Sequence, residues 1–360
     1  MTQTLAEFSI PYVQILNEKA ELSGPLPDFA KDVTSLQQLY RIMVLTRLFD
    51  KKAIALQRTG KMGTYAPVHG QEAISAVIGH TMQPTDVLIP YYRDYAAQFQ
   101  RGVMPSDILS YWGGDERGNA YPKNPHSKDL PICVPIASQC LHAAGVAFSI
   151  QYRKENHVAV VSIGDGGTSE GDFYEALNVA GVWKLPVVFV INNNQWAISV
   201  PLSQQTATQT LAQKAIAAGI QGVVVDGNDV LALHQEISAA IEKARRQEGP
   251  TLIEARSYRL SDHTTADDAT RYQPQAEVDA SKPKEPLARF KSFLEQHHAW
   301  TAVQEEAILT ECNTLIQTEV DAYLARPAQP ITAMFDYHYA TLPDYLIEQR
   351  AIAMENADHA

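Results

Sequence analysis

The chain is poor in the residues that staple small folds. Its 360 residues hold three cysteines, Cys133, Cys140 and Cys312, and no CxxC pair, so a disulfide framework or zinc site has no support and buried thiols are expected. Positive charge is scarce as well. Lys and Arg number 29 against 41 Asp and Glu, a formal charge of -12, which argues against a broad phosphate-tracking surface and against a nucleic-acid partner. Any anion must then be held by a local site. Long apolar runs are missing too: a segment such as Leu185 to Ile191 is far too short to span a bilayer, and the opening MTQTLAEFSIPY has no basic region followed by an apolar block. A soluble, cytoplasmic chain with no membrane partner is the expectation. Neither a repeat of 20 to 50 residues nor a GxxxxGK[ST] phosphate loop is present.

What is present suits a large α/β domain. Hydrophobic residues make up 45% of the chain and charged residues 19%, enough for a sizeable core and against disorder. Residues 1–33 carry Pro11, Pro25 and Pro27 with little periodicity and read as an extended arm. Thr34, with Gln37 three residues on, reads as a capping box that opens a helix running to Gly60. Gly70 to Gly79 reads as a second helix, and residues 113–135 as a long loop. Val158–Ile163 reads as a buried strand, Gly164–Thr168 as a glycine turn, Glu170–Trp183 as a helix with Phe173, Leu177 and Val182 on its inner side, and Val187–Ile191 as the next strand. That is a parallel βαβ unit. Gly222–Val225 and Leu252–Ala255 add strands around a helix from Val230 to Arg246. The expected fold is therefore a doubly wound, mostly parallel sheet over residues 34–280, with an arm at 1–33 and a helical extension at 281–360.

In such sheets ligands sit beyond the carboxyl ends of the strands. Gly164-Asp165-Gly166-Gly167 lies at one such end and Asn192-Asn193-Asn194 at another. Each alone reads as an ordinary turn or loop former. Together, Asp165 and Asn194 would meet at one sheet edge although 29 positions separate them. A carboxylate, an amide oxygen and a nearby carbonyl are hard oxygen ligands which, with two phosphate oxygens and a water, complete the octahedron that Mg2+ demands. The pattern reads as a site for a magnesium-bridged diphosphate.

This spacing, GDG, 26 intervening residues, then Asn193-Asn194, resembles the thiamine diphosphate signature. The run GDGGTSEGDFYEALNVAGVWKLPVVFVINNNQWAIS is similar to one family, the alpha subunits of the decarboxylating component of 2-oxo acid dehydrogenase complexes, and most similar to the bacterial type acting on pyruvate. HGQEA at 69–73, YYRDY at 91–95, VDGNDV at 225–230 and SYRLSDHTTADDATRY at 257–272 extend the resemblance over roughly residues 35–345. It implies a thiamine diphosphate-binding fold, with Asp165, Asn194 and the main-chain oxygen of Trp196 as metal ligands. It further implies that Gly164, Gly166 and Gly167 form the diphosphate turn, that Tyr92 and Arg93 bind the diphosphate, and that the Ile136 main chain meets the aminopyrimidine. Ile198 would hold the cofactor bent. His263, by default a solvated loop histidine among Asp262, Asp267 and Asp268, becomes in this light a contact to the diphosphate that helps organise charge near the reacting centre. Arg93 is expected to grip a phosphate bidentately. Thr264 stands where mitochondrial relatives carry a phosphorylated serine, and in this chain reads as an ordinary loop threonine.

The resemblance also implies partners. The glutamate that activates the aminopyrimidine has no place on this chain, so a beta subunit in an alpha2-beta2 heterotetramer is expected to supply it. The acceptor would be the lipoyl-bearing dihydrolipoamide acyltransferase core, and the substrate a small 2-oxo acid. Pyruvate leads, with branched-chain 2-oxo acids and acetoin as alternatives. A non-catalytic, magnesium-dependent phosphate- or nucleotide-binding module is the reading from another class, and it leaves the histidine loop without a role.

Overall fold

Consecutive β-branched residues with no polar alternation signal strands covered on both faces. The computed structural model describes residues 1–121 and 128–357. Residues 122–127 of the expected long loop and 358–360 of the expected extension lie outside the described residues. Eight strands are present among them: β1 (Tyr12–Val13), β2 (Val87–Ile89), β3 (Ala159–Gly164), β4 (Val187–Asn193), β5 (Trp196–Ala197), β6 (Val200–Pro201), β7 (Gln221–Asp226) and β8 (Thr251–Arg256). Six form one parallel sheet in the order β1-β7-β8-β4-β3-β2, while β5 and β6 make a separate antiparallel hairpin. The expected doubly wound α/β architecture is the one found.

Alternate residues of each strand face two different cores, as the two-residue period requires. Val160, Val188, Val190, Val223 and Ile253 pack with the helices Val33–Arg58, Glu72–Thr81 and Val230–Arg245. Val161, Ile163, Val187, Phe189 and Ile191 pack with the helices Ser138–Tyr152 and Gly171–Trp183. On the latter helix the inner face is Phe173, Ala176, Leu177 and Ala180, whereas Val182, expected inside, is 69% exposed. From Phe173 the i+4 and i+7 steps reach Leu177 and Ala180, while position 182, nine residues on, is turned about 180° away at about 100° per residue. Cys140 and Cys312 are buried thiols, and Cys133 is half-buried.

Two other boundaries differ from expectation. Asp32, not Thr34, caps the first helix, accepting from the amides of Thr34 at 3.0 Å and Ser35 at 3.3 Å. A carboxylate there also complements the helix dipole, which a threonine cannot do. The arm does more than lie on a surface: Tyr12 and Val13 pair with Val224 and Val225 and form the sheet's edge strand. Asp229 joins arm to core, one oxygen capping the Val230–Arg245 helix and the other accepting from the amides of Ile15 and Leu16 at 2.6 and 2.7 Å.

The amino end of the sheet, away from the expected site, is tied by a buried ion pair. Arg245 donates through both terminal nitrogens to Asp86, at 2.9 and 2.8 Å, while Asp86 also accepts from the amides of Val158 and Gln83. Asp86 is fully buried. Arg245→Met should therefore strand a buried charge and cost about 3 kcal/mol in urea unfolding, and Asp86→Asn in the same background should restore part of it. A loss below about 1 kcal/mol would show the pair to be worth no more than a surface one.

Candidate active site

The register of β3 against β4 sets Gly164 beside Asn192 at the carboxyl edge, so the residues after each strand leave it side by side. Gly166 starts a tight 3-10 turn, Gly166–Ser169. A Cβ on Gly166 would stand 2.7 Å from the Ala197 Cβ, and one on Gly167 2.7 Å from the Ile163 side chain and 3.1 Å from that of Ile136. Both positions exclude any larger residue. At Gly164 a Cβ would meet nothing nearer than Tyr91 at 4.0 Å, so its space belongs to the cavity in front of it. That cavity encloses about 220 Å3.

All eleven residues singled out from the sequence line it: Tyr92, Arg93, Ile136, Gly164, Asp165, Gly166, Gly167, Asn194, Trp196, Ile198 and His263. They come from five segments. Ile198 sits in the tight turn of the β5-β6 hairpin at φ +56°, a conformation a β-branched residue adopts only under constraint. Its side chain stays more than half exposed at the cavity wall.

Two guanidinium groups dominate the electrostatics. Arg93 and Arg259 are both buried, and every hydrogen bond they make among the described residues goes to a neutral acceptor. Arg93 donates to Pro67 O at 2.9 Å, to His263 O, and to His263 Nδ1 at 3.3 Å. Arg259 donates to Ile198 O at 2.8 Å, Tyr272 Oη at 2.6 Å, Trp196 O at 3.3 Å and His263 Nδ1 at 3.4 Å. Because two of Arg93's three nitrogens are committed inside the protein, the expected bidentate grip on a phosphate requires one of these bonds to be exchanged. His263 Nδ1 must accept from both cations, so it carries no proton. Burial first, then the two guanidiniums, push the His263 pKa down to about 3, with Asp267 opposing. Around neutral pH the ring is therefore a neutral imidazole.

Asp165 is the counterpart. Its carboxyl is buried, and Oδ2 takes no hydrogen bond from the described residues. Burial raises its pKa to about 6 against the pull of main-chain amides, Arg259 and Arg93. Asn194 Oδ1 accepts from the Trp196 amide at 3.2 Å, and its Nδ2 donates to Gln71 Oε1 at 2.9 Å. An orphaned carboxylate oxygen beside an amide oxygen and a main-chain carbonyl fits a small hard cation. The buried guanidiniums of Arg93 and Arg259, which act electrostatically on Asp165, fit an anion. Of the three candidate metal ligands, Trp196 O is the one already facing a guanidinium.

The loop bearing His263 is held rather than loose. His263 N donates to Asp267 at 2.8 Å, Ala269 N to Asp262 at 2.8 Å, and Thr265 N to Tyr65 O at 2.9 Å. Two residues here carry no signal in the sequence, Arg259 and Gln71, and Gln139, whose buried Oε1 lacks a partner among the described residues, also lines the cavity. Arg259 lay inside the SYRLSDH block, but nothing local separates it from the solvent-facing Arg256 three residues earlier.

Comparison with known proteins follows this geometry. The family profile described as Dehydrogenase E1 component matches residues 40–331. The chain is similar to the pyruvate dehydrogenase E1 component subunit alpha of Staphylococcus aureus strain Mu50, 38% identical over 358 residues, covering 99% of this chain and 95% of that one. It is also 38% identical over 340 residues to the protein of that name from Mycoplasma genitalium, covering 94% of each.

The pKa directions give a test of the site's charge. In nitrogen-15 spectra of labelled histidine, His263 should stay neutral from pH 8 down to about pH 5, while exposed rings protonate near 6.5. Because its folded-state value lies below the unfolded one, ring protonation on unfolding draws stability away as pH falls below about 6.5. Arg259→Met should move the ring's midpoint upward. A wild-type midpoint near 6.5 would remove the guanidinium pair as the ring's controlling partner.

Proposed function

The chain belongs to the dehydrogenase E1 component family, and from that premise we propose that it is the alpha subunit of a thiamine diphosphate-dependent oxidoreductase that decarboxylates pyruvate and passes the acetyl group to a lipoyl group. The observation that carries this reading is the buried pair Arg93 and Arg259, neither hydrogen-bonded to a carboxylate among the described residues, near a glycine turn whose Asp165 has an orphaned oxygen. A doubly charged diphosphate with a divalent cation satisfies both at once. A non-catalytic phosphate module would not need the apolar walls at Ile136 and Ile198.

Thiamine diphosphate, when bound, supplies the electron sink that 2-oxo acid decarboxylation needs and no side chain offers. The chain's own residues do the holding. Asp165, Asn194 Oδ1 and Trp196 O would bind Mg2+; Tyr92, Arg93 and the amides of Gly166 and Gly167 would take the diphosphate. His263, neutral beside two cations, offers a hydrogen-bond donor at Nε2, and the ring's proton affinity rises once an anion screens those cations. Ile136 would meet the aminopyrimidine, and Ile198 would support the bend between the rings.

The carboxylates lining the cavity, Asp165 and Glu170, both belong to the segment after β3, so activation of the aminopyrimidine falls to a beta subunit. An apolar face for that partner lies on the outer helices, toward the amino end of the sheet. Phe148, Tyr152, Val182 and Trp183 are exposed on the outer sides of the two helices over one sheet face, with Phe148 and Trp183 rings 5.2 Å apart. Apolar patches of this kind mark interfaces. The assembled alpha2-beta2 enzyme would deliver acetyl groups to the lipoyl-bearing acyltransferase core. Among the described residues no helix is long and apolar enough to cross a membrane, and the proposed compartment is the cytoplasm.

Turnover by the chain co-expressed with its beta subunit tests the substrate. Pyruvate should be used at least about tenfold faster than 3-methyl-2-oxobutanoate, as a pocket shaped for a methyl group discriminates; no thiamine diphosphate-dependent turnover of either would overturn the reading. For the interface, Phe148→Glu should abolish co-purification with the beta subunit and leave the chain folded. Unchanged assembly would place the contact elsewhere.

A further inference from the structure

Asn194 has a side chain whose two ends are nearly indistinguishable in shape but opposite in chemistry. Only one end can face a cation. Two contacts decide which. The Trp196 amide donates to Asn194 Oδ1 at 3.2 Å, and Asn194 Nδ2 donates to Gln71 Oε1 at 2.9 Å. Rotating the amide by half a turn would set Nδ2 against the Trp196 N–H, donor against donor, and leave Gln71 Oε1 without a hydrogen. Gln71 is thus the acceptor half of the device, and both side chains are buried.

Gln71 is itself held in a stiff frame. It caps the helix Glu72–Thr81, and its amide donates to Val68 O at 2.8 Å. Val68 N donates to Asp50 at 2.7 Å, and Gly70 N to Glu72 at 3.1 Å, while Glu72 pairs with Arg47. Gly70, at φ +90°, lies so close to the neighbouring chain that a Cβ would stand 2.6 Å from Tyr258 O. From this frame the Gln71 side chain reaches across 123 positions to Asn194. Its own Nε2 finds no partner among the described residues, so the one bond it makes is the one to Asn194.

We infer that Gln71 is a positioning residue for the metal site, fixing the Asn194 amide so that its oxygen faces the divalent cation. This rests on the reading that Asn194 holds Mg2+. Partners that orient a ligand in this way are worth roughly 10- to 100-fold in metal affinity when removed. Nothing in the motif GQEA announces the role. Gln71 touches neither the cavity nor the cation.

The test uses the assembled enzyme and titrates Mg2+ in the presence of thiamine diphosphate by calorimetry, with melting temperature recorded for each variant. Gln71→Met, close in volume but lacking the acceptor, should weaken Mg2+ about 10- to 100-fold with the fold retained. Gln71→Glu, which keeps an oxygen for Asn194 Nδ2, should remain within a few-fold of wild type. Asn194→Leu should lose at least as much as Gln71→Met, and the double variant no more than Asn194→Leu alone, because Gln71 acts through Asn194. Additive losses in the double variant, or wild-type affinity in folded Gln71→Met, would overturn the positioning role. Wild-type affinity in Asn194→Leu would instead sink the metal-ligand reading beneath it. Should Gln71→Met unfold, weakening by Gln71→Glu to the level of Asn194→Leu would equally discard the proposal.

Discussion

Two buried positive charges that form no direct ion pair among the described residues set the terms for this molecule. Arg93 and Arg259 both donate toward His263 Nδ1, and the rest of their hydrogen bonds go to carbonyls and a phenol. Taking each out of water costs several kcal/mol, and neutral dipoles offset only part. The deficit has consequences throughout the site: the imidazole between them stays neutral, Arg259 loses some of its own proton affinity, and Asp165 is pulled toward ionisation against its burial. A cavity in this state is built to receive an anion.

Holding that arrangement requires a frame on every side. Asp50, buried under the Tyr65 hydroxyl and the Val68 amide, fixes the segment that carries Pro67 O to Arg93. The amide of Tyr65 and Thr265 Oγ1 bind each other across 200 positions, which ties the same segment to the His263 loop. Beneath them the β3-β4 register brings the glycine turn and the asparagines together, and β8 continues into Ser257, whose amide donates to Asn193 O at 2.8 Å. Each charged group is placed by an element whose own packing is independent of the ligand. Such preorganisation is what electrostatic sites require.

Much of this could be read from residue order. The glycine turn, the asparagine run, YYRD and the histidine loop gained meaning only in combination, and all eleven candidate residues share one cavity. Arg259 escaped because burial, not type, distinguishes it from Arg256 nearby; the former is fully buried and the latter reaches solvent. The low proton affinity of the His263 ring was not legible either, since it depends on Arg93, 170 positions away, and on the burial of Arg259. The arm's role as an edge strand was hidden because its two paired residues, Tyr12 and Val13, are too few to show a period. Val182 was misassigned when helical spacing was judged by hydrophobicity alone, with no partner surface to say which side was inside.

Residue type and interval were enough for the α/β class and for a set of residues that share one cavity at the strand ends. Those are local properties: a β-branched run, a glycine pair that tolerates close approach, a carboxylate and an amide at strand termini. The state of the site was not local. Arg93 meets His263 across 170 positions, and Gln71 meets Asn194 across 123. Which side chains end up without a counter-charge, and which way an amide faces, depends on what burial brings within 3 to 4 Å of each atom, and at those distances in a low-dielectric interior a single neighbour is enough to change a proton's equilibrium.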